Sequence, residues 1–223
     1  MIENKKINLI LPCYNEEEGI QKIFKKDLSF IDEVIVVDNN CSDNTADIAV
    51  SYNWKVIKEA KKGYGAAYKA GFKSATGDII IAMDADDTYP IESAKYFIEK
   101  ILSDNIDFIC GNRLYKGKPK NMQALNYIGN IVLSFFFRLF FIRSLRDSQS
   151  GMWVFKRKIL DKLELTSSGM PFSQEIKIEA ARKGFKITEF PIEYNKRLGD
   201  VKLNPWKDGF NNLIFLFKKK IFK

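Results

Sequence analysis

The chain has 223 residues, 46% of them hydrophobic, with a net charge of +8, no histidine and three cysteines. That is enough for one good-sized core and too little for two, and the lack of histidine excludes Ser-His-Asp and Cys-His catalysis and His-containing zinc sites. Cys13, Cys41 and Cys110 are far apart and odd in number, which fits neither a zinc spacing nor a disulfide framework and makes a reducing cytosol the default.

Strand-like sequence begins by Ile7, so no N-terminal signal peptide is expected. INLIL (7–11) reads as an apolar strand broken by Pro12. Asn15 and the Glu16–Glu18 run open a helix whose first turn welcomes negative charge. EVIVVDNN (33–40) is a second apolar strand, stopping at Asp38, and Ser42 or Asp43 follows as a candidate helix cap. WKVIK is a short strand. GYGAAYKAGFKSA (63–75) reads as a glycine turn entering an Ala-rich helix. It is not a dinucleotide fingerprint, because it does not follow the first strand. DIIIAMD (78–84) is the next strand, and an amphipathic helix (Ser93–Leu102) leads to DFICGNR (107–113).

This alternation predicts an α/β fold: a Rossmann-like, mostly parallel sheet buried on both faces by helices. Ligands of such sheets bind beyond the C-terminal strand ends. Pro12-Cys13-Tyr14-Asn15, Asp38-Asn39-Asn40 and Asp84-Ala85-Asp86 all fall there. At the third of these ends three carboxylates crowd into four positions, Asp84, Asp86 and Asp87. In extended geometry Asp84 and Asp86 point to one side, which suits a hard divalent cation, Mg²⁺ or Mn²⁺, holding substrate phosphates. The alternative is a helix N-terminus made acidic for its dipole.

NYIGNIVLSFFFRLFFIR (126–143) is almost wholly apolar, with Asn126, Asn130, Ser134 and Arg138 recurring every four positions. One narrow polar stripe on a greasy helix results. The run is too short to span a bilayer, and Arg138 interrupts it. A helix lying in the membrane interface is expected, with a buried core helix as the alternative. The last 28 residues carry eight Lys/Arg against two Asp. With FNNLIFLFKKKIFK, they make residues 206–223 a basic amphipathic tail suited to anionic lipid, set apart from a domain spanning 1–205.

LPCYNEEEGI, VVDNNCSDNTADIA, KKGYGAAYKAGFKSATGDIIIAMDADDTYP, CGNR, DSQSGMWVFKR and RLGDVKLNP occur together and in order. In these blocks the chain resembles family 2 glycosyltransferases of the GT-A fold, and among them the polyprenyl-phosphate sugar synthases such as dolichol-phosphate mannose synthase. The resemblance covers about residues 5–205. It implies that Pro12, Tyr14 and Glu16 hold the nucleotide, with Asp38 and Asn39 on the next strand end. Asp84, Ala85 and Asp86 would meet the diphosphate, Asp84 and Asp86 holding the metal with Thr88 as a further ligand. Arg113 would lie by the donor sugar or phosphates. Asp147, Ser150 and Gly151 would line the acceptor end. Arg197 and Lys202 would close over the phosphates, where Arg supplies a planar fork and Lys a point charge.

The reaction so implied is an inverting transfer of a hexose from a nucleoside diphosphate sugar, of the GDP-mannose or UDP-glucose type, to a polyprenyl phosphate. A lipid phosphate is already an anion and needs no general base, which agrees with the absence of histidine. A hydroxyl acceptor, in polysaccharide or glycolipid synthesis, would need one, and Asp147 or Glu175 is the candidate. A basic membrane- or nucleic-acid-binding protein is the non-enzymatic alternative. It has no use for Asp84 and Asp86, so no nucleic-acid partner is expected. The protein is expected to be cytoplasmic and peripheral on the inner face of the membrane, with any integral membrane partner a separate chain.

Overall fold

A computed structural model describes residues 2, 4–202 and 204–221. Leu203 of the RLGDVKLNP block and Phe222 and Lys223 of the tail lie outside the described residues. The elements are β1 (Ile7–Cys13), α1 (Glu17–Phe24), β2 (Glu33–Asp38), α2 (Thr45–Ser51), β3 (Lys55–Lys58), α3 (Tyr64–Ser74), β4 (Ile79–Ala82) and α4 (Glu92–Ser103). They continue with β5 (Phe108–Asn112), α5 (Ala124–Phe140), β6 (Trp153–Lys156), α6 (Phe172–Arg182), β7 (Ile187–Pro191) and α7 (Pro205–Ile221).

The strands form one sheet in the order β3-β2-β1-β4-β6-β5-β7. Pairing is parallel throughout the β3-β2-β1-β4 half and between β5 and β7. β6 runs antiparallel to both neighbours, with Trp153 opposite Ala82 on one side and Cys110 on the other. That reversal brings the segment before β6 to the edge where the parallel strands end. The residues after β7 reach the same edge, where Asn195 N–H donates to Thr88 O at 3.0 Å and Leu198 N–H to Asp86 O at 3.0 Å.

Each sheet face has its own core. Ile7, Leu9 and Leu11 pack with α1, α2 and α4, whereas Ile10 packs with α3, α5 and α6. Burial on both faces explains why the strands read as unbroken apolar runs. Gly19 sets the position of α1: a Cβ there would stand 1.9 Å from Ala85 O, so only glycine lets the helix start rest on the acidic turn.

Helix α5 begins and ends slightly before the 126–143 span, and its faces are sorted in an unusual way. Ser134 is buried and bonds Ser148, with Oγ···Oγ at 3.1 Å and the Ser148 N–H donating to Ser134 Oγ at 3.0 Å. Leu125, Ile128, Ile131, Val132, Phe135 and Leu139 are exposed, Phe135 by 59% and Leu139 by 61%. Phe136 and Phe140 do not share that outer face. Their rings lie 5.4 and 5.1 Å from Phe217 in the seam with α7, because the third side of the helix packs on the C-terminal helix.

The tail is that helix. Leu216 is fully buried, and Trp206, Phe210, Ile214, Phe217 and Ile221 make an exposed stripe. Lys219, expected to meet lipid, instead pairs with Glu175 and Glu179 at 3.1 Å each, while Lys218 and Lys220 are exposed. Among the described residues no helix is long and apolar enough to cross a membrane.

Candidate active site

The first two strand ends are tied to each other. Ser42 N–H donates to Asn15 Oδ1 at 2.7 Å, and Glu16 N–H to Thr45 Oγ1 at 2.9 Å. Asp43 accepts from Thr45 N–H at 3.0 Å and Glu17 N–H at 3.3 Å, bracing the starts of both helices, but the N-cap position of α2 is Asn44 and neither Ser42 nor Asp43. Pro12 does not break β1 but lies half-buried within it, in register with Val37, and the strand runs on to Cys13. Tyr14 is exposed, with Lys62 Nζ 5.4 Å from its ring centroid. Asp38 accepts the Cys41 N–H at 2.8 Å. Asn39 lies on this strand end, but its amide is spent on backbone: it donates to Glu59 O and Lys61 O and accepts from Gly63 N–H. It shapes the turn into α3 and has little left for a nucleotide.

The chain leaves β4 at Ala82, so Asp84 lies just beyond the strand and Ala85 and Asp86 in the bend that follows, not in extended strand. Tyr68 donates to Asp84 Oδ1 at 3.4 Å, and burial together with the neighbouring Asp86 charge pushes the Asp84 carboxyl up to about 6. Asp86 is 1% exposed. Its Oδ1 accepts Thr88 N–H at 3.0 Å and Thr88 Oγ–H at 2.5 Å, and its Oδ2 meets the Arg197 guanidinium at 2.5 Å. Thr88 therefore orients Asp86. Asp87 turns the other way, at φ 62°, and pairs with Lys26 at 2.7 Å.

Arg197 belongs to the segment that crosses the mouth, and Lys202 closes its far end. Lys202 Nζ donates to Asn15 O at 2.7 Å and pairs with Glu16 at 2.8 Å. Burial raises the Glu16 carboxyl to about 7 against the pull of Lys202, and among the described residues Glu16 Oε2 has no hydrogen-bond partner. Arg197 and Lys202 thus both sit on strand-end carboxylates, Asp86 and Glu16.

Arg113 and Asp147 are brought together, but onto each other. Arg113 Nε and NH2 donate to Asp147 Oδ2 and Oδ1 at 2.7 and 2.8 Å, and Arg113 N–H adds a third bond at 3.0 Å. Burial pushes the Asp147 carboxyl up, but the Arg113 charge and hydrogen bonds outweigh it and hold it below its ordinary value. Such a two-pronged buried pair fixes position, and it leaves Asp147 unavailable as a base. Glu175 is likewise engaged: both oxygens are taken by Thr166, Ser167 and Lys219, and the carboxyl is held low. It ties the start of α6 to the 166–167 segment and to α7. Gly151 does reach the pocket, where a Cβ would stand 3.1 Å from both Asp84 oxygens. Ser150 Oγ is buried with no partner among the described residues.

Tyr89 and Lys177 escaped the sequence reading. The Tyr89 hydroxyl accepts Arg113 NH1 at 3.2 Å and Gly151 N–H at 2.7 Å, joining the two sides of the crevice. Its place directly after the acidic cluster was the available signal. Lys177 gave none, since a lysine in a helix normally marks solvent.

Two carboxylates one residue apart suit Mg²⁺ or Mn²⁺ bound in part by substrate oxygens. The guanidinium on Asp86 shows that the seat accepts positive charge. Among the described residues no three acidic or cysteine side chains form a closed metal cage.

A mostly parallel α/β sheet with an acidic turn beyond β4 and a basic segment across it is the GT-A fold of glycosyltransferases. The glucosyl-3-phosphoglycerate synthase of Mycobacterium tuberculosis, solved with Mn²⁺, UDP and glucosyl-3-phosphoglycerate, matches with a TM-score of 0.80 at 17% identity, over 99% of this chain and 81% of its own. The chain belongs to glycosyl transferase family 2, whose sequence profile matches residues 8–164, and it is an enzyme of that class. It is 33% identical over 219 residues to the low-salt glycan biosynthesis hexosyltransferase Agl6 of Haloferax volcanii, covering 94% of this chain and 52% of that protein. It is 31% identical over 204 residues to the dolichyl-phosphate hexose transferase of the same organism, covering 90% and 88%. The chain thus spans about half of the first relative and most of the second.

Proposed function

We propose that the protein transfers a hexose from a nucleoside diphosphate sugar to a polyprenyl phosphate at the membrane surface, with inversion at the anomeric carbon. One observation carries this reading beyond the family. Helix α5 buries Ser134 of its polar stripe against Ser148, beside the 147–151 segment, while Arg138 stays exposed and Leu125, Ile128, Ile131, Val132, Phe135 and Leu139 turn outward. An apolar surface therefore begins where the acceptor end of the crevice stops. A lipid carrying a phosphate head needs both.

The acceptor phosphate oxygen attacks the anomeric carbon from the face opposite the diphosphate. The new C–O bond forms as the bond to the diphosphate breaks, and the electron pair leaves with the nucleoside diphosphate. No proton has to be removed from the nucleophile, in agreement with Asp147 and Glu175 both being bonded up. Asp84 and Asp86 would hold the metal, with Thr88 orienting Asp86. Bound there, Mg²⁺ or Mn²⁺ supplies charge neutralisation for the leaving diphosphate. Arg197 and Lys202 exchange their carboxylate partners for phosphate oxygens, and Glu16 Oε2 offers a buried acceptor to the nucleotide.

The outer faces of α5 and α7, with exposed Lys218 and Lys220, favour peripheral attachment to anionic lipid, at the inner face of the membrane. The test of the donor half is a thermal-shift panel of UDP- and GDP-sugars with and without Mn²⁺. A ligand held by the folded state raises the midpoint by mass action. One nucleotide sugar raising it only with metal supports the reading; no shift with any of them contradicts it.

A further inference from the structure

Lys177 lies on α6, fully buried. Its Nζ donates to Ser148 O at 2.6 Å, Ser150 O at 2.8 Å and Ser173 Oγ at 3.4 Å, and it lies 5.5 Å from the Trp153 ring centroid. All three hydrogen-bond partners are neutral, and the Asp147 and Glu189 carboxylates attract the ammonium only from a distance, with no hydrogen bond to it. Burial lowers the ammonium to about 8, so it remains mostly charged at neutral pH. Burying an ammonium on neutral acceptors is costly, and a methionine would fill the same space without that cost. The cost calls for a positional reason.

Both carbonyls belong to the segment between Asp147 and β6. The Ser150 carbonyl also accepts Trp153 Nε1–H at 2.7 Å and Ser173 Oγ–H at 3.3 Å, so it is held from the α6 side by three donors. Peptide planarity sends the Gly151 N–H the opposite way. It donates to Tyr89, beside Arg113, where a Cβ on Gly151 would stand 3.1 Å from the Asp84 carboxylate. One peptide is thus clamped between Lys177 and the acidic pocket. A carbonyl oxygen aimed into the crevice would repel an anionic acceptor; drawn toward Lys177, it cannot.

We propose that Lys177 is the positioning residue of the acceptor side, drawing the Ser148 and Ser150 carbonyl oxygens away from the crevice so that the segment meets a phosphate head without a repelling dipole. The proposal rests on the polyprenyl-phosphate reading for the identity of the acceptor, but not for the clamp itself. Lys177→Met keeps the length and removes the charge. Loss of a charged hydrogen bond corresponds to about tenfold to a hundredfold. Hydrogen exchange of the 147–152 segment should accelerate by that factor, and KM for polyprenyl phosphate should rise by a similar one. KM for the nucleotide sugar and its slow hydrolysis by water should stay within about twofold. Lys177→Arg should recover part of the acceptor KM. If Lys177→Met does not fold, Lys177→Gln, which keeps N–H donors on a shorter stem, is measured in the same way. Unchanged exchange in the folded variant, or an equal loss of donor and acceptor KM, overturns the proposal. A wild-type enzyme inactive on polyprenyl phosphate instead overturns the acceptor reading, and the exchange measurement still decides the clamp.

Discussion

The two sides of the crevice handle charge in opposite ways. At the strand-end mouth, buried Asp86 and half-buried Glu16 are matched by Arg197 and Lys202, whose side chains are 30% and 25% exposed. At the wall beside β6, Arg113 and Asp147 are 7% and 0% exposed and grip each other in a fork, with Lys177 buried nearby. Pairs with one solvated partner exchange that partner cheaply; a buried fork does not, because either charge left alone is heavily penalised. On the proposed function, the first is the donor side, able to trade cations, and the second the acceptor side, held still.

The largest expected effect breaks the fork. Asp147→Ala leaves a buried guanidinium unpaired, which costs roughly 3–5 kcal/mol, or a fall in Tm of roughly 6–20 °C for a chain of this size. A melt within about 2 °C of wild type would remove the asymmetry. Asp86→Asn should do the reverse, leaving Tm within a few degrees while transfer falls on the order of a hundredfold or more. Wild-type turnover of that variant at limiting Mn²⁺ would take Asp86 out of the site.

A smaller effect separates the outer face of α5 from its seam. Phe135→Ser with Leu139→Ser should cost roughly 2 kcal/mol of membrane partitioning by area, seen as loss of co-sedimentation with anionic liposomes at an unchanged Tm. Phe136→Ser with Phe140→Ser opens cavities against Phe217 instead, so its Tm should fall. The same response from both pairs would erase the distinction.

The last effect concerns Asp84. Its carboxyl is raised from 3.8 to about 6 by burial and the Asp86 charge. A raised group contributes stability that is present at low pH and lost as pH rises through about 6. At pH 7.5 without metal, Asp84→Asn should therefore be more stable than wild type by roughly 2–3 kcal/mol. The gap should be about half as large at pH 5 and close only below about pH 3.8, the unfolded value, and Mn²⁺ should raise only the wild-type midpoint. A gap that ignores pH contradicts the assigned cause.

The sequence was most legible where local pattern and tertiary role agree. The apolar runs of β1, β2 and β4 are buried on both faces, and their ends carry the acidic and asparagine-rich turns. Residues 144–204 announce no element by local pattern, yet β6, α6 and β7 lie there. WVFK is short, and its antiparallel direction depends on partners more than 40 residues away in the chain. FSQEIKIEAAR reads as half-polar, yet Glu175 and Lys177 are both buried because each finds bonds outside its own helix. The Arg113–Asp147 pair spans 34 positions, so neither residue announces the other. The polar stripe of α5 was visible, but which of its remaining faces α7 would cover was not.

The most direct test of the central claim is transfer of labelled hexose from the nucleotide sugar into liposomes holding polyprenyl phosphate, free polyprenol or glycolipid, with Mg²⁺ or Mn²⁺. The account predicts label in the polyprenyl phosphate vesicles, dependent on metal, and none above background in the other two. Label entering the polyprenol or the glycolipid, with none on the lipid phosphate, would contradict it.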